Sequence, residues 1–385
     1  MSDKYKEFQN FLQKCSDNNR FRSLKDFESV TSNELIFEGK NYINFSSNDY
    51  LGLSSKLRTE AQEHSGSTAS RLVCGNTKEI SDLENSLATW KGTETSLLFN
   101  SGYQANSTII PAIADRKSII FSDRLNHASI IDGIKLSGAK HVRYKHNDVE
   151  QLKELLEKYK AEDSRKIIIS ETLFSMDGDF ADIQSILDLA KKYDCLSYID
   201  DAHGSGISGK NGIGPCGDLL DKIDFYISTF GKAHGSFGAY CACSKLLKDY
   251  LINCARGFIF STALPPAVIA TNAQSIELIQ GLNEERNKLS KNIETIRTFL
   301  KKENFQTIES SSPIIPVITG SEQDTLGLSS YLMEQGIFAV AIRPPTVPEN
   351  TCRIRLTVSS AHTDIDISTL LKTLKRWKDN LVSPA

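Results

Sequence analysis

A lysine and an aspartate in the middle of the chain stand where covalent cofactor chemistry would need them. Lys232 ends the run Ser228-Thr-Phe-Gly-Lys, just past an apolar segment and among small residues. A lysine in such a setting can approach a planar aldehyde and form a Schiff base. Asp200 ends another apolar segment and opens the run Asp-Asp-Ala-His203. A carboxylate there can keep a pyridinium nitrogen protonated, and a histidine can bond the phenolic oxygen of the same ring.

Further polar residues follow neighbouring apolar segments. Gly102 and Tyr103 follow an Asn-Ser turn that opens a helical segment, where backbone N–H groups can bind a phosphate. His127 follows the next apolar segment. In an open α/β sheet, ligands bind at the carboxyl ends of the strands, so we expect these side chains to converge. Together they predict a site for pyridoxal 5′-phosphate (PLP).

Each of these residues has a simpler explanation when taken alone. A lysine in a glycine-rich loop is usually part of a surface turn, and Asp200 could cap a helix. The runs Gly204–Gly209 and Gly212–Gly217 match the pattern G-x-G-x-x-G. A dinucleotide site needs that pattern to lead directly from strand to helix, but other residues precede the first run and Pro215 interrupts the second. Asp200 and His203 lack a third ligand at suitable spacing, so we expect no metal.

The elements that must position these residues alternate in type. Helical stretches such as Asp148–Glu162 and Asp182–Tyr193 separate short apolar runs. This alternation is typical of a mainly parallel sheet covered by helices, so we expect an α/β fold. The apolar runs are Ser96–Phe99, Ser118–Phe121, Lys166–Ile169, Cys195–Ile199, Asp224–Ser228 and Gly238–Ala242.

Different patterns flank this region. Residues 4–28 carry apolar side chains at helical spacing, and Leu35–Phe45 alternates around a Glu-Gly-Lys turn, which predicts a hairpin. A long helical tract, Ala267–Lys302, precedes mixed strand-like and helix-like segments. The predicted division is an N-terminal helix and hairpin segment at 1–45, a large PLP-binding domain at 46–280 and a small C-terminal α+β domain at 281–385.

Composition favours a small-molecule enzyme. The 385 residues carry 45 Lys and Arg against 48 Asp and Glu, a net charge of −3, so we expect neither nucleic acid nor membrane as a partner. The charged N-terminus does not look like a secretory signal, and no apolar run reaches the ~18 residues of a membrane helix. The eight cysteines are scattered rather than arranged as a disulfide framework. These features predict a cytoplasmic protein.

Four runs of residues carry a resemblance to a known family: Asn44–Gly52, Asp200–Gly204, Ser228–Lys232 and Phe260–Pro266. They resemble the α-oxoamine synthases, fold-type I PLP-dependent transferases that condense an amino acid with an acyl thioester and release CO₂. The resemblance extends from about Arg20 to the C-terminus. It implies a large mainly parallel-sheet domain, a smaller α+β C-terminal domain and a homodimer with its active site at the subunit interface.

The resemblance also implies roles at the cofactor. Lys232 would form the Schiff base, Asp200 would partner the pyridinium nitrogen, and His127 would stack on the ring. These three are the implied catalytic residues. Thr262 would reach the phosphate held by the partner subunit. The implied cofactor-binding set is Gly102, Tyr103, Ser175, Asp200, His203, Thr229, Lys232 and Thr262.

A second implied set concerns the substrates. Asn48 and Arg355 would hold the amino-acid carboxylate, and Arg22 and Thr346 would lie near the acyl group. The full implied substrate-binding set is Arg22, Asn48, His127, Thr346 and Arg355.

Two stretches indicate one branch of the family. Ala341–Pro348 with Arg353–Thr357, and Phe174–Asp179 with His146–Asp148 upstream, are most similar to members that condense L-alanine with a pimeloyl thioester in biotin biosynthesis. The thioester carrier is CoA or acyl carrier protein. One alternative is another α-oxoamine synthase, such as glycine C-acetyltransferase. A second is a non-catalytic paralogue acting as a binding or partner subunit, a class that should lack the lysine found here as Lys232.

One segment departs from the family pattern. Where the family often has Gly-Ser-Gly-Gly-Ser-Arg, this chain has Gly66-Ser-Thr-Ala-Ser-Arg71, and the preceding helix, Ser55–His64, looks several residues short. Glycine adopts positive φ freely, whereas Thr68 and Ala69 resist it. We therefore expect a different local backbone here, with consequences for the acyl chain length accepted.

Overall fold

The computed structural model describes residues 3–58 and 64–382. The chain divides into two compact units. The sheet unit comprises Leu51–Ser175 and Asp179–Asn287, and the terminal unit comprises Met1–Tyr50, Met176–Gly178 and Lys288–Ala385. Residues from the two ends of the chain therefore share one unit.

Seven strands form the central sheet of the sheet unit. Six are mutually parallel, and Ala239–Cys243 runs antiparallel to both of its neighbours, which confirms the mainly parallel α/β sheet. Each of the six predicted apolar runs overlaps a strand, although four of the runs begin one residue before the strand does. The edge strand Lys140–Tyr144 is not predicted, because its exposed basic residues break the apolar pattern. In spatial order the strands are Thr95–Phe99, Ala239–Cys243, Phe225–Thr229, Leu196–Asp200, Lys166–Glu171, Ile119–Asp123 and Lys140–Tyr144.

Helices connect and cover these strands. Side chains of Ser101, Asp148, Asp182 and Ser244 accept bonds from backbone N–H groups at four helix starts, as expected of N-cap residues. A buried cluster of mainly aliphatic side chains fills the space between the sheet and these helices. The helices of the sheet unit are Lys78–Lys91, Gly102–Ile113, Ala128–Ser137, Val149–Lys158, Ile183–Lys192, Lys245–Cys254, Arg256–Ile259 and Pro266–Gly281.

The prediction of one continuous helical tract over Ala267–Lys302 is wrong in one respect. The structure has two helices, Pro266–Gly281 and Asn283–Lys302, interrupted at Leu282. The buried Arg286 guanidinium donates to the carbonyl oxygens of Ile279 and Gln280, at 2.8 and 3.1 Å. These bonds satisfy carbonyls at the end of the first helix, so the break does not leave them unpaired.

The terminal unit holds two small sheets. The hairpin predicted at Leu35–Phe45 is confirmed, with Glu38 and Gly39 both at positive φ in the turn. The helix predicted over residues 4–28 is shorter: it spans Lys6–Asp17, and Asn19 at φ +54° turns the chain away. The four-stranded sheet has Ser29–Val30, Glu34–Phe37, Lys40–Asn44 and Ile337–Phe338; the three-stranded sheet has Ile314–Gly320, Cys352–Thr357 and Val340–Ile342; the remaining helices are Glu322–Glu334 and Asp364–Val382.

No helix among the described residues combines the length and the apolar character needed to cross a membrane.

Candidate active site

Asp200 ends its strand inside the protein and is held at both carboxylate oxygens. One oxygen accepts a hydrogen bond from Asn106 Nδ2 at 2.8 Å, and the other accepts from the backbone N–H of Ala202 at 2.9 Å. The residue is only 6% exposed. Two donors hold the carboxylate in one orientation, which suits it to partner a ring nitrogen.

The sequence does not predict the role of Asn106. Its Nδ2 also donates to Ser129 Oγ at 2.9 Å, and its Oδ1 accepts from the Tyr198 hydroxyl at 2.6 Å. A side chain at Gly133 would come within 2.5 Å of the Asn106 carbonyl oxygen, so glycine lets the two helices pack closely. The signal in the sequence is an amide within a largely apolar helical segment, since a buried amide requires partners.

Lys232 lies half-buried in a tight loop that follows the strand Phe225–Thr229. The Gly235 N–H donates to the Lys232 carbonyl at 2.8 Å, and Thr229 Oγ1 donates to the Gly238 carbonyl at 2.8 Å. Gly235 has φ +63°, and a Cβ there would collide with the backbone of Ser54. The loop therefore requires glycine at this position to present Lys232.

The helix Gly102–Ile113 begins beside this loop. Ser101 Oγ caps it by accepting from the Gln104 N–H at 3.1 Å. The first amides of a helix have no acceptor within the helix and can bind an anion. A Cβ added at Gly102 would lie 3.9 Å from Thr229 Cβ, so the two residues are neighbours. The helix start and the threonine together form a cradle suited to a phosphate.

His127 caps another helix at the same edge of the sheet. Its Nδ1 accepts from the Ser129 N–H at 3.3 Å, and its ring meets that of Tyr103 edge-on at 6.3 Å. Partial burial lowers the pKa of His127; the Asp200 carboxylate raises it and the Lys232 ammonium lowers it again. His127, Asp200 and Lys232 therefore belong to one electrostatic cluster, in which the imidazole is kept neutral.

Glu171 is a member of this cluster that the sequence leaves without a role. It pairs in register with Asp200 on the adjacent strand, and its buried carboxyl accepts from the His127 N–H at 2.5 Å. Burial and the Asp200 charge raise the pKa of Glu171 to about 8, against an opposing effect of Lys232. The carboxyl group is therefore largely protonated at neutral pH, which avoids a second negative charge beside Asp200.

The other predicted cofactor residues also lie in the sheet unit. His203 is buried and Ser175 is half-buried. The Thr262 carbonyl accepts from Asn100 Nδ2 at 3.0 Å, and Thr262 bridges to Ser70. The sheet unit thus contains the whole predicted cofactor set: Gly102, Tyr103, Ser175, Asp200, His203, Thr229, Lys232 and Thr262, together with His127.

The predicted residues for the amino-acid carboxylate lie in the terminal unit and meet there. Arg355 is buried on the strand Cys352–Thr357; one terminal nitrogen donates to Asn48 Oδ1 at 3.1 Å and the other donates to Thr357 Oγ1 at 2.8 Å. Tyr50 packs nearby, and burial raises the pKa of its hydroxyl to about 12 although Arg355 opposes the shift. Asn48 and Arg355 are 307 positions apart in the chain.

The predicted acyl-group residues form a second pair in the terminal unit. The Arg22 guanidinium donates to Thr346 Oγ1 at 2.9 Å, and both residues are exposed. The neighbouring Arg20 differs, because it pairs with Glu322 at 2.7 Å and Glu349 at 2.6 Å.

Thr68 adopts positive φ although a β-branched side chain resists it. Thr68 has φ +54°, a conformation that strains a β-branched residue. Bonds on either side hold it: Ser67 Oγ donates to the Leu264 carbonyl at 2.6 Å, and the Ala263 N–H donates to the Ala69 carbonyl at 3.0 Å. The short helix predicted at Ser55–His64 includes residues 59–63, which lie outside the described residues.

The residues of the sheet unit fit PLP. They offer a fixed carboxylate for the ring nitrogen, a loop lysine for the aldehyde, a neutral imidazole for the ring face and helix amides for the phosphate. This donor set is complete among the described residues of one unit.

Comparisons with known proteins identify the family. The family model "Aminotransferase class I and II" matches residues 40–374. The 8-amino-7-oxononanoate synthase of Trichlorobacter lovleyi is 45% identical, over 95% of this chain and 96% of its own. That of Geotalea daltonii is 44% identical, over 90% of this chain and 91% of its own.

Solved structures with a similar fold include two serine palmitoyltransferases and one 8-amino-7-oxononanoate synthase. The serine palmitoyltransferase of Sphingomonas wittichii has a TM-score of 0.92 at 27% identity, over 100% of both chains. One from S. paucimobilis with a bound PLP–myriocin adduct has a TM-score of 0.89 at 27% identity, over 97% of both chains. The 8-amino-7-oxononanoate synthase of Francisella tularensis has a TM-score of 0.75 at 27% identity, over 89% of this chain and 99% of its own. The chain belongs to the class I and II aminotransferase family and, within it, to the 8-amino-7-oxononanoate synthases, which are PLP-dependent acyltransferases.

Proposed function

We propose that this enzyme condenses L-alanine with a pimeloyl thioester to give 8-amino-7-oxononanoate, CO₂ and the free thiol, a step of biotin biosynthesis. The observation that carries the proposal is the cluster of Asp200, Lys232 and His127 at the carboxyl ends of the central strands. The identity of the substrates rests on the names of the 44–45% identical relatives. The carrier of the thioester is CoA or acyl carrier protein.

The reaction needs a carbanion at the alanine α-carbon. A C–C bond forms between that carbon and the thioester carbonyl, the C–S bond breaks, and the alanine carboxylate leaves as CO₂. PLP, when bound, supplies an electron-withdrawing ring that stabilises the carbanion. We assign removal of the α-proton to the Lys232 Nζ. Lys232 lies in a half-buried loop, and its charge acts on His127 together with that of Asp200.

The other residues hold the reactants in place. The Asp200 carboxylate, fixed by Asn106, would hold the ring nitrogen of PLP in its protonated form. The neutral His127 ring would pack against the PLP ring. In the terminal unit, Arg355 holds the alanine carboxylate with Asn48, and Arg22 with Thr346 binds near the acyl group.

We also propose a homodimer. Large apolar side chains of the sheet unit are exposed where a partner subunit could cover them: Leu72 at 54%, Val73 at 77% and Phe260 at 71%. The bridge between Ser70 and Thr262 brings these segments together. A soluble monomer rarely exposes such a patch, so burial against a second copy is its simplest use. We further propose a cytoplasmic location, which suits a chain whose eight cysteines are all free.

A matrix of substrates tests the proposed function. Purified enzyme with PLP is offered L-alanine, glycine and L-serine, each with pimeloyl-CoA, acetyl-CoA and palmitoyl-CoA, and thiol release is followed. We expect the alanine and pimeloyl pair to give the highest kcat/KM. A higher value for glycine with acetyl-CoA would contradict the assignment, and release of thiol with no amino acid would contradict the condensation.

A further inference from the structure

Lys91 is a lysine buried in the sheet unit, 1% exposed, at the end of the helix Lys78–Lys91. Its Nζ has three acceptors: the Ile213 carbonyl at 2.5 Å, Ser205 Oγ at 3.0 Å and the Tyr226 hydroxyl at 3.0 Å. Three acceptors match the three donors of an ammonium group. A buried lysine is rare unless it is paired, so its position calls for a nearby negative charge.

Asp201 supplies that charge. The Tyr226 hydroxyl, which accepts from Lys91, donates to Asp201 Oδ2 at 2.5 Å, and Thr172 donates to Asp201 Oδ1. Burial lowers the pKa of Lys91 and raises that of Asp201, and each charge opposes the shift in the other. Asp201 adjoins Asp200 in the chain, and its N–H donates to the Ile227 carbonyl at 2.7 Å. The ammonium is thus linked to the strand end that carries Asp200.

A second chain of hydrogen bonds leads from Lys91 to the loop that carries Lys232. Ser205 Oγ lies 3.2 Å from His234 Nε2, and the His234 carbonyl accepts from Ser275 Oγ at 2.8 Å. Burial lowers the pKa of His234 to about 3, so its ring is neutral. His234 follows Lys232 by two positions. One buried lysine is therefore linked, through Tyr226 and through Ser205, to both segments that carry the cofactor chemistry.

We propose that Lys91 is a positioning residue for the reaction: through Tyr226 with Asp201 and through Ser205 with His234, it fixes Asp200 and Lys232 relative to each other. The proposal rests on PLP binding by this site and is independent of the substrates. Lys91 does not touch the reacting atoms and acts through these neighbours.

The chain offers a matched control for a purely structural role. Lys248 forms an ion pair with the buried Glu84 at 2.8 Å in the same unit, and Glu84 forms a second ion pair with Arg71 at 2.9 Å. The contacts of Lys248 with Glu84 lie outside the Asp201 network. Both Lys91→Met and Lys248→Met remove a lysine that interacts with a buried carboxylate, through Tyr226 for Asp201 and directly for Glu84, so both should lower stability. Only Lys91→Met should change the absorbance midpoint and the binding of PLP.

The test uses PLP-loaded enzyme without substrate. The pH midpoint of the visible absorbance of lysine-bound PLP and the PLP dissociation constant are measured for wild type, Lys91→Met, Lys248→Met and the double variant Lys91→Met/Asp201→Asn. Removing the cation leaves excess negative charge near the ring, so Lys91→Met should raise the midpoint by about one pH unit. Misplacement of the anchoring groups should weaken PLP binding about tenfold. Lys248→Met should match wild type.

The double variant should return both values toward wild type, because it leaves no unpaired buried charge. Unchanged midpoint and dissociation constant in a folded Lys91→Met enzyme would overturn the proposal, as would equal shifts in Lys248→Met. If Lys91→Met does not fold, Tyr226→Phe serves instead, since it breaks the link between Lys91 and Asp201 while keeping the ring. It should weaken PLP binding, because the bond that holds Asp201 next to Asp200 is lost, and a wild-type PLP dissociation constant would again overturn the proposal. Failure of alanine turnover with a wild-type midpoint would count against the proposed substrates only.

Discussion

The two sets of predicted site residues are held by different kinds of contact. In the sheet unit, the negative charge of a buried carboxylate is either balanced by a nearby cation, as Lys91 balances Asp201, or removed by protonation, as at Glu171. In the terminal unit, the bonds of Arg355 to Asn48 and of Arg22 to Thr346 are to neutral acceptors. We therefore propose that the residues of the first unit fix the geometry of the cofactor chemistry and that those of the second bind the substrate anions.

The largest effect should come from the lysine of the first unit. Lys232→Ala removes the group that we propose attaches PLP and takes the α-proton, so turnover should fall at least about 10³-fold and the visible absorbance of bound PLP should disappear. Lys245→Ala, at an exposed lysine paired with Asp249, is the control and should keep both. Turnover near wild type in Lys232→Ala would contradict the proposal that the first unit carries the cofactor chemistry.

The next effect should separate rate from binding. Asp200→Asn keeps the shape of the side chain but not its charge, so kcat should fall about 10²-fold while PLP still binds through its phosphate. Thiol release at saturating L-alanine and pimeloyl thioester measures kcat, and the absorbance of bound cofactor measures PLP content. Equal losses of kcat and PLP content would mean that Asp200 only anchors the cofactor.

In the second unit, the two arginines should affect different substrates. Arg355→Met should raise KM for L-alanine about 10- to 100-fold, because a charge-assisted bond to the carboxylate is lost. Arg22→Met should raise KM for the pimeloyl thioester and leave that for alanine near wild type. Steady-state kinetics with each substrate varied in turn measures both. The reverse pattern would exchange the two assignments.

A pH-dependent effect should appear in the stability of the sheet unit. Burial alone would lower the pKa of His146, but hydrogen bonds to Asp123 at 3.0 Å and Asp179 at 2.8 Å outweigh it and raise the pKa to about 10. Because the folded pKa exceeds the unfolded value of about 6.5, the added stability is complete below that pH and is lost as pH rises through 10. Urea unfolding from pH 6 to 10 should show this loss.

His146→Gln is the comparison for that measurement. It should be less stable than wild type at pH 6, and the difference should shrink toward pH 10. A difference that stays constant over this range would contradict a charged His146.

The smallest expected effect concerns the strained Thr68. Thr68→Gly should raise the free energy of unfolding by about 1 kcal/mol, because relief of the left-handed strain exceeds the greater backbone entropy of glycine. Denaturant unfolding of the PLP-loaded enzyme measures it, with Ser67→Gly as a control that should be destabilising through loss of the bond to Leu264. Destabilisation by Thr68→Gly would show that its side chain is needed.

The sequence allows prediction of the parallel sheet and of the polar strand ends, because both follow from local apolar runs and the residues after them. It does not allow prediction of Glu171 or Lys91. Whether Glu171 faces Asp200 depends on strand register, and a lysine in an amphipathic helix is normally exposed, so burial of Lys91 depends on tertiary packing. Pairs such as Asn48 and Arg355, 307 positions apart, are accessible from the sequence only through resemblance to a family.

The most direct test of the division between the units uses L-alanine labelled with ¹³C in its carboxylate. Wild-type enzyme with a pimeloyl thioester should release labelled CO₂ and free thiol in a 1:1 ratio. Arg355→Met at saturating alanine should keep that ratio and most of kcat, whereas Asp200→Asn should lose kcat at any alanine concentration. A normal kcat in Asp200→Asn, or an Arg355→Met enzyme that saturating alanine cannot restore, would contradict the account.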